Sequence, residues 1–284
     1  MFDIWSDKLR GVITPEYESG NIRVFTNPDN EGDYCYVFCS SNDIWYPNTQ
    51  QAYEESIINR DRYEWTSFSL TNARKRIYVR DIYKSWYVTG VNKEIDSIDR
   101  LVNLIAKESE GLKLVCIGSS SGGYLAVLLG CLLNADHVLC FSAQMELNNQ
   151  WAIEKNGLLQ NYKSDQKRNR YYDLKPYIEK SNTPIYYFVP IDCTQDRHHY
   201  DHISGCQNIR SFCLKSKHHG VVVSKCNLPV LINSSKEELE SLYKKLVGKQ
   251  TSIIMFSIKL VGVRKAFVGV VNDSIRHIKR KLRS

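Results

Sequence analysis

The stretch that most constrains the fold is residues 114–129, with the sequence LVCIGSSSGGYLAVLL. It joins an apolar run of strand length to an apolar run of helix length through a serine-rich turn. A sharp strand-to-helix turn strains the backbone of its central residue and presses the flanking positions against neighbouring elements. Gly118 and Gly122 lie two positions before and after Ser120 and carry no Cβ. The pattern therefore predicts that the Ser120 hydroxyl is held at the tip of such a turn.

A G-x-S-x-G sequence between a strand and a helix is the pattern of the nucleophile elbow of α/β hydrolases. Ser120 is then the candidate nucleophile. The backbone N–H of Ser121, at the start of the helix, is a candidate donor to an oxyanion. A structural turn or a phosphate-binding loop is the alternative, although the Gly-Lys-Ser/Thr ending of a phosphate loop is absent.

The rest of the chain alternates between apolar strand-like runs and helix-like segments. The runs that predict strands are 21–26, 34–40, 77–82, 114–119, 136–142, 183–189 and 208–214. This alternation predicts a mostly parallel sheet covered by helices on both faces, as in α/β hydrolases. The turn-rich sequence NPDNEGD predicts that the first two strands form a hairpin. Residues 145–182 interrupt the alternation and are predicted to hold a cap insertion.

Candidate acid and base residues follow the late strands in the order Ser, Asp, His that is typical of α/β hydrolases. We predict His219 as the base, because Gly220 directly behind it relieves a tight turn. For the acid we favour Asp196 over the alternative, Asp192, because Asp196 has more loop in which to reach a histidine. His218 is interpreted as a solvated neighbour.

In this predicted triad Ser120 attacks, His219 acts as general base and then as general acid, and Asp196 orients the imidazole. The loop after the strand 34–40 is the usual source of a second oxyanion donor. We therefore consider the N–H groups of Ser40 and Ser41 as candidates, with a polar loop that lacks this role as the alternative.

A metal site is also considered, because His198 and His202 are spaced to share one helix face beside Asp201. The glutamate of an H-E-x-x-H motif is missing and no third ligand is indicated. We expect no metal site and interpret these residues as part of a polar helix.

The positive charge of the chain is concentrated at its C-terminal end. Residues 251–284 hold eight Lys and Arg residues and one Asp, which equals the formal net charge of +7 of the whole chain. Apolar residues recur there at intervals of three and four, but the uncharged runs are shorter than the ~20 residues that span a bilayer.

We predict a hydrolase-like domain at 1–250 and a basic amphipathic helical tail at 251–284 that lies on an anionic membrane surface. Packing on a partner or a second protomer is the alternative. Nucleic acid is disfavoured because stacking aromatic residues are sparse in this tail.

The nine cysteines are scattered, odd in number and without a C-x-x-C pair, which predicts reduced core thiols. The first residues, MFDIW, lack the basic and apolar regions of a signal peptide. We expect a cytoplasmic protein that reaches the inner face of the membrane.

The chain resembles α/β-hydrolase-like proteins of bacterial capsule and surface-polysaccharide synthesis, and more loosely the capsule polysaccharide O-acetyltransferases of that fold. The matching motifs are RDIYKSWY at 80–87, GSSSGGY at 118–124, FSAQ at 141–144, KHHG at 217–220 and NLP at 227–229. The resemblance implies a serine triad that acts on an acyl ester. Ser120 and His219 carry over directly, and Asp196 lies in an acid loop whose length varies among such proteins.

The reaction that the resemblance implies is acetyl transfer from acetyl-coenzyme A to a sugar hydroxyl through an acyl-serine intermediate. The same triad hydrolyses an ester if water reaches that intermediate. The substrate would be a bacterial surface polysaccharide or its precursor, and no resident cofactor is expected. The alternative hypothesis is a non-catalytic accessory or glycan-binding protein on a hydrolase scaffold.

Overall fold

The computed structural model describes residues 7–147, 165 and 169–269. Eight strands form one sheet in the order β1-β3-β2-β4-β5-β6-β7-β8, and every neighbouring pair is parallel except β1 with β3. The strands are β1 (Ile22–Thr26), β2 (Tyr34–Cys39), β3 (Ala73–Val79), β4 (Lys113–Ser119), β5 (His137–Phe141), β6 (Ile185–Pro190), β7 (Ile209–Leu214) and β8 (Gln250–Thr251).

The helices connect these strands and cover the sheet. They are α1 (Asp7–Ser19), α2 (Gln50–Tyr53), α3 (Ile98–Glu108), α4 (Ser121–Leu133), α5 (Lys175–Lys180), α6 (Thr194–Ile203), α7 (Leu228–Asn233), α8 (Lys236–Leu246) and α9 (Ile253–Val261). A π-helical turn, Glu54–Asn59, continues α2. A capping box at Ser235 and Glu238 starts α8.

Both faces of the sheet are buried against helices. Alternate residues of β2 belong to two separate cores, Val37 to the one that contains α3 and α4 and Phe38 to the one that contains α8 and α9. Residues 121–131 of α4 are all buried, as its uniformly apolar sequence predicts. The predicted mostly parallel, doubly covered sheet of the α/β-hydrolase type is therefore confirmed.

The predicted hairpin between the first two strands is wrong. β1 pairs with β3, and β2 lies between β3 and β4. The five residues from Cys35 to Cys39 are buried, so β2 needs a neighbour on each side and a helix on each face. β1 is half exposed, which suits an edge strand, and the turn-rich segment after it serves as a longer connection.

The C-terminal part of the described chain packs on the sheet beyond residue 250. Thr251 pairs with Leu214 in β7, and Phe256 of α9 is fully buried in the core. Residues 263–269 are helical, and residues 270–284 of the predicted tail lie outside the described residues. The division of the chain at residue 250 stays a prediction.

Most of the predicted cap, residues 148–164 and 166–168, lies outside the described residues as well, so the cap also stays a prediction. Where the chain is described again, Asp173 forms an antiparallel bridge with Glu146. Among the helices of the described residues, none combines the length and the apolar character that crossing a membrane requires.

Candidate active site

The turn between β4 and α4 holds Ser120 in a strained backbone conformation, with φ 54° and ψ −121°. A Cβ added at Gly118 would lie 2.1 Å from the carbonyl oxygen of Gly122, and one added at Gly122 would lie 2.3 Å from that of Cys39. These glycines are therefore required by close backbone contact. The Ser120 side chain stands where the carboxyl ends of the central strands meet.

The His219 imidazole reaches Ser120 from the loop that follows β7. Its Nε2 atom lies 2.8 Å from Ser120 Oγ. Gly220, with φ 107°, turns the chain directly behind it. The Ser142 hydroxyl donates a 2.6 Å hydrogen bond to the Gly220 carbonyl oxygen, which ties this loop to the end of β5.

Asp196 holds the other side of the imidazole. It lies in the first turn of α6, where the helix dipole favours a negative charge, and its side chain is fully buried. Its two carboxylate oxygens lie 3.0 and 2.9 Å from His219 Nδ1. A carboxylate only accepts hydrogen bonds, so Nδ1 carries the proton and Nε2 accepts the Ser120 hydroxyl. This arrangement can remove a proton from an attacking serine.

Asp192, the alternative acid, is not part of this cluster. Its side chain is exposed, and its backbone N–H donates to the carbonyl oxygen of Ser216. His218 is exposed too. The structure thus brings together Ser120, His219 and Asp196.

The candidate oxyanion donors differ in what they contact. The Ser121 N–H lies in the first turn of α4, where a helix supplies no acceptor of its own. The Ser40 N–H donates to the Val79 carbonyl oxygen at 2.9 Å, and the Ser41 N–H donates to the Glu64 carboxylate at 2.7 Å. In this conformation neither Ser40 nor Ser41 offers its N–H to a ligand.

The Glu64 carboxylate that holds Ser41 also accepts a 3.0 Å hydrogen bond from the Ser41 hydroxyl. Desolvation raises the pKa of Glu64, and the two hydrogen bonds from Ser41 oppose this rise. The Glu64 N–H donates to the Ser40 hydroxyl oxygen at 3.2 Å. This network fixes the loop after β2.

Sequence reasoning assigned no role to Gln144 or Trp86, which complete the surroundings of Ser120. Gln144 Nε2 lies 3.2 Å from Ser120 Oγ, and Trp86 Nε1 donates a 3.2 Å hydrogen bond to Gln144 Oε1. Both residues lie in the motifs FSAQ and RDIYKSWY. Its position in the chain could have pointed to Gln144, because Gln144 follows β5, and β5 lies beside β4, the strand that leads to Ser120.

The loop that carries Trp86 is buried and strained. The Asp81 carboxylate accepts hydrogen bonds from the N–H groups of Tyr83, Ser85 and Tyr87. Burial raises the pKa of Asp81 to about 6, and these hydrogen bonds oppose the rise. Three non-glycine residues of the loop have positive φ: Lys84 (53°), Trp86 (54°) and Tyr87 (62°).

The histidines considered as metal ligands form carboxylate pairs instead. His198 Nε2 lies 2.8 Å from Glu146, and His202 Nε2 lies 2.8 Å from Asp173. Asp201 pairs with Arg197 at 3.0 Å. Within residues 7–147, 165 and 169–269, no group of three His, Cys, Asp or Glu side chains is placed to hold a metal ion.

No protein-family model and no curated protein sequence matches the chain. Among solved structures, it is similar to the capsule O-acetyltransferase of Neisseria meningitidis serogroup A (15% identity, TM-score 0.47, 69% of this chain and 83% of that chain covered). It is also similar to a lipase-esterase related protein from Clostridium acetobutylicum (13%, TM-score 0.44, 80% and 100% covered). A third is an α/β hydrolase enzyme from a Medee basin deep-sea metagenome library (9%, TM-score 0.39, 67% and 84% covered).

Proposed function

We propose that this protein is a serine acyltransferase or esterase, with Ser120 as nucleophile, His219 as general base and acid, and Asp196 as the group that orients the imidazole. The observation that carries the proposal is the continuous pair of contacts at His219: Nε2 to Ser120 Oγ at 2.8 Å and Nδ1 to Asp196 at 2.9 Å. The strained φ of Ser120 supports the same assignment, since such strain is concentrated at functional sites.

The reaction follows from these contacts. Ser120 Oγ bonds to the acyl carbonyl carbon while its proton passes to His219 Nε2, and the Ser121 N–H faces the oxyanion that forms. The intermediate collapses, the bond to the leaving group breaks, and Nε2–H returns the proton to that group. An acceptor hydroxyl then loses its proton to Nε2 and attacks the carbonyl carbon of the acyl-serine. The bond from that carbon to Ser120 Oγ breaks, and Nε2–H returns the proton to Oγ. Asp196 stays ionised throughout and stabilises the imidazolium.

For the substrates we propose acetyl-coenzyme A as donor and a hydroxyl of a bacterial surface polysaccharide, or of its precursor, as acceptor. The support for this is that the motifs at 80–87, 118–124, 141–144 and 217–220 resemble those of α/β-hydrolase-like proteins of capsule and surface-polysaccharide synthesis. Water as the acceptor would make the same site an esterase, because both acceptors compete for one acyl-serine.

The test is covalent labelling of the full chain with a fluorophosphonate probe, together with p-nitrophenyl acetate turnover. We expect wild-type protein to label and Ser120→Ala to lose both signals, with Ser204→Ala, a change at an exposed serine, behaving as wild type. Incubation with acetyl-coenzyme A should add one acetyl group to the peptide that contains Ser120. If wild-type protein neither labels nor acquires the acetyl group, the enzyme proposal fails and a glycan-binding scaffold becomes the better interpretation.

We also propose that the C-terminal segment rests on an anionic membrane surface. Val263 and Phe267 are 69% and 71% exposed, and Arg264 and Lys265 lie between them. Exposed apolar side chains interleaved with basic ones are typical of helices that bind at a lipid interface.

This second proposal is tested by flotation with phosphatidylglycerol-containing vesicles and with phosphatidylcholine vesicles. Point variants of the full chain are needed, because removal from residue 251 would take away Thr251 of β8 and the buried Phe256. We expect Phe267→Asp to reduce flotation on anionic vesicles, and Ile58→Asp, at another exposed apolar residue, to leave it unchanged. Equal flotation of Phe267→Asp and wild type overturns the proposal. Loss of a dimer in Phe267→Asp would assign the surface to a second copy instead.

A further inference from the structure

The Gln144 amide contacts two groups that differ in chemistry. Trp86 Nε1–H can only donate a hydrogen bond, so the amide atom that faces it, 3.2 Å away, is the oxygen Oε1. The nitrogen Nε2 is therefore the amide atom nearer to Ser120 Oγ, at 3.2 Å against 3.5 Å for Oε1, and it points an N–H toward that oxygen. Gln144 is only 4% exposed, so water does not supply hydrogen bonds that would stabilise the flipped orientation of the amide.

The indole that sets this orientation is itself held firmly. Ser85 and Tyr87, on either side of Trp86, both donate their N–H groups to Asp81 Oδ2, at 2.6 and 2.9 Å. The Tyr87 hydroxyl donates to the Ser40 carbonyl oxygen at 2.6 Å. The amide donor at Ser120 is thus preorganised by a chain of hydrogen bonds that begins at a buried carboxylate.

A donor at this place would supply the second hydrogen bond that the oxyanion needs. The N–H groups of Ser40 and Ser41, which come from the loop where this fold usually finds its second oxyanion donor, are already bonded to Val79 and Glu64. The Ser121 N–H and the side-chain N–H of Gln144 are the donors described near Ser120 that are not bonded to Val79 or Glu64.

We infer that Gln144 is a catalytic residue whose side-chain N–H stabilises the oxyanion formed at Ser120, and that Trp86 positions it. The inference rests on the proposed function. The acyl carbonyl carbon bonds to Ser120 Oγ in the intermediate, so its oxygen forms within reach of an amide that already contacts Oγ. Gln144 Nε2–H then takes the place of the second backbone donor of other enzymes of this fold, beside the Ser121 N–H.

Gln144→Glu is the sharpest test, because the carboxylate keeps an acceptor for Trp86 and places an oxygen without a hydrogen toward Ser120. We expect kcat for p-nitrophenyl acetate to fall on the order of 10²–10³-fold with a nearly unchanged KM, the cost of one oxyanion donor. As pH is lowered, activity relative to wild type should recover, because a protonated carboxyl group is again a donor. Gln207→Glu, at an exposed glutamine, should have no effect.

Two further variants separate donor loss from added charge and from misfolding. Gln144→Met has neither donor nor charge and should lose kcat to a similar extent. Trp86→Phe removes only the indole N–H and should cost a smaller factor, whereas Trp45→Phe, which removes a buried indole bond to Ile82, should keep wild-type kcat.

Wild-type kcat in folded Gln144→Glu and Gln144→Met, with Ser120→Ala inactive, overturns the role of Gln144 and leaves the serine mechanism standing. Full activity of Ser120→Ala overturns both.

Discussion

Asp196 and His219 lie 23 positions apart in the chain, and both carboxylate oxygens of Asp196 lie within 3.0 Å of His219 Nδ1. Asp196 lies in the first turn of α6, the helix after β6, and His219 lies in the loop after β7, the neighbouring strand. Because parallel strands end at the same edge, the two loops emerge side by side. A buried acid thereby fixes the protonation and orientation of a partly exposed imidazole.

Asp196→Asn should keep the fold and lose most activity. The amide can donate to Nδ1, which favours the tautomer that has its proton on Nε2 and cannot accept the serine hydroxyl. We expect kcat for p-nitrophenyl acetate to fall on the order of 10⁴-fold, the effect of this change in other triads. Asp192→Asn, a change at the exposed alternative acid, is the matched control. Comparable losses in the two variants would contradict the assignment of Asp196.

Gly122→Ala should destabilise the protein and abolish fluorophosphonate labelling. The new Cβ would lie 2.3 Å from the Cys39 carbonyl oxygen, a backbone atom that a rotamer change does not move. We expect the free energy of unfolding in urea to fall by about 2 kcal/mol, in the range of overpacked cores. Gly205→Ala, where the added Cβ meets no atom within 4 Å apart from the residue itself and its chain neighbours, should unfold as wild type does. A stable, fully labelled Gly122→Ala would show that the elbow relaxes.

His199 should make the protein less stable as pH falls. Desolvation, followed by the charge of His198, lowers the pKa of the buried His199 to about 4 from an ordinary value of 6.5. Between these pH values the unfolded chain binds a proton that the folded chain does not, so the free energy of unfolding falls as pH is lowered. The other charged groups near the ring are Asp196, Glu146 and His219.

The measurement is urea unfolding of wild type and His199→Asn at pH 7 and pH 5. The asparagine side chain can still accept the Met145 N–H that donates to His199 Nδ1. We expect wild type to lose about 2 kcal/mol more than the variant between these pH values, from the size of the pKa shift. Equal losses would mean that His199 titrates normally in the folded state.

The cysteines should all be free thiols, and the buried ones should react slowly in the folded protein. Six are buried, and burial raises the pKa of Cys35 and Cys131 to about 12. Titration with dithionitrobenzoate in denaturant without reductant should count nine thiols. Rapid reaction of the native protein should be confined to the three half-buried ones, Cys193, Cys213 and Cys226. A count of seven or fewer in denaturant would reveal a disulfide.

The sequence by itself determined the features that depend on local geometry. The elbow could be located because only glycine tolerates the backbone contacts around Ser120, and the doubly covered sheet followed from apolar runs that alternate with helices. The order of candidate residues along the chain also pointed to Ser120 and His219. Loop length alone could only favour Asp196 over Asp192.

Only the tertiary structure decided which groups meet at the sheet edge. It placed β2 between β3 and β4, bonded the N–H groups of Ser40 and Ser41 within the fold, and brought the Gln144 amide between Trp86 and Ser120. These contacts join loops that are far apart in the chain. Their geometry is set by strand order and by the packing of both cores, and no short stretch of sequence encodes either.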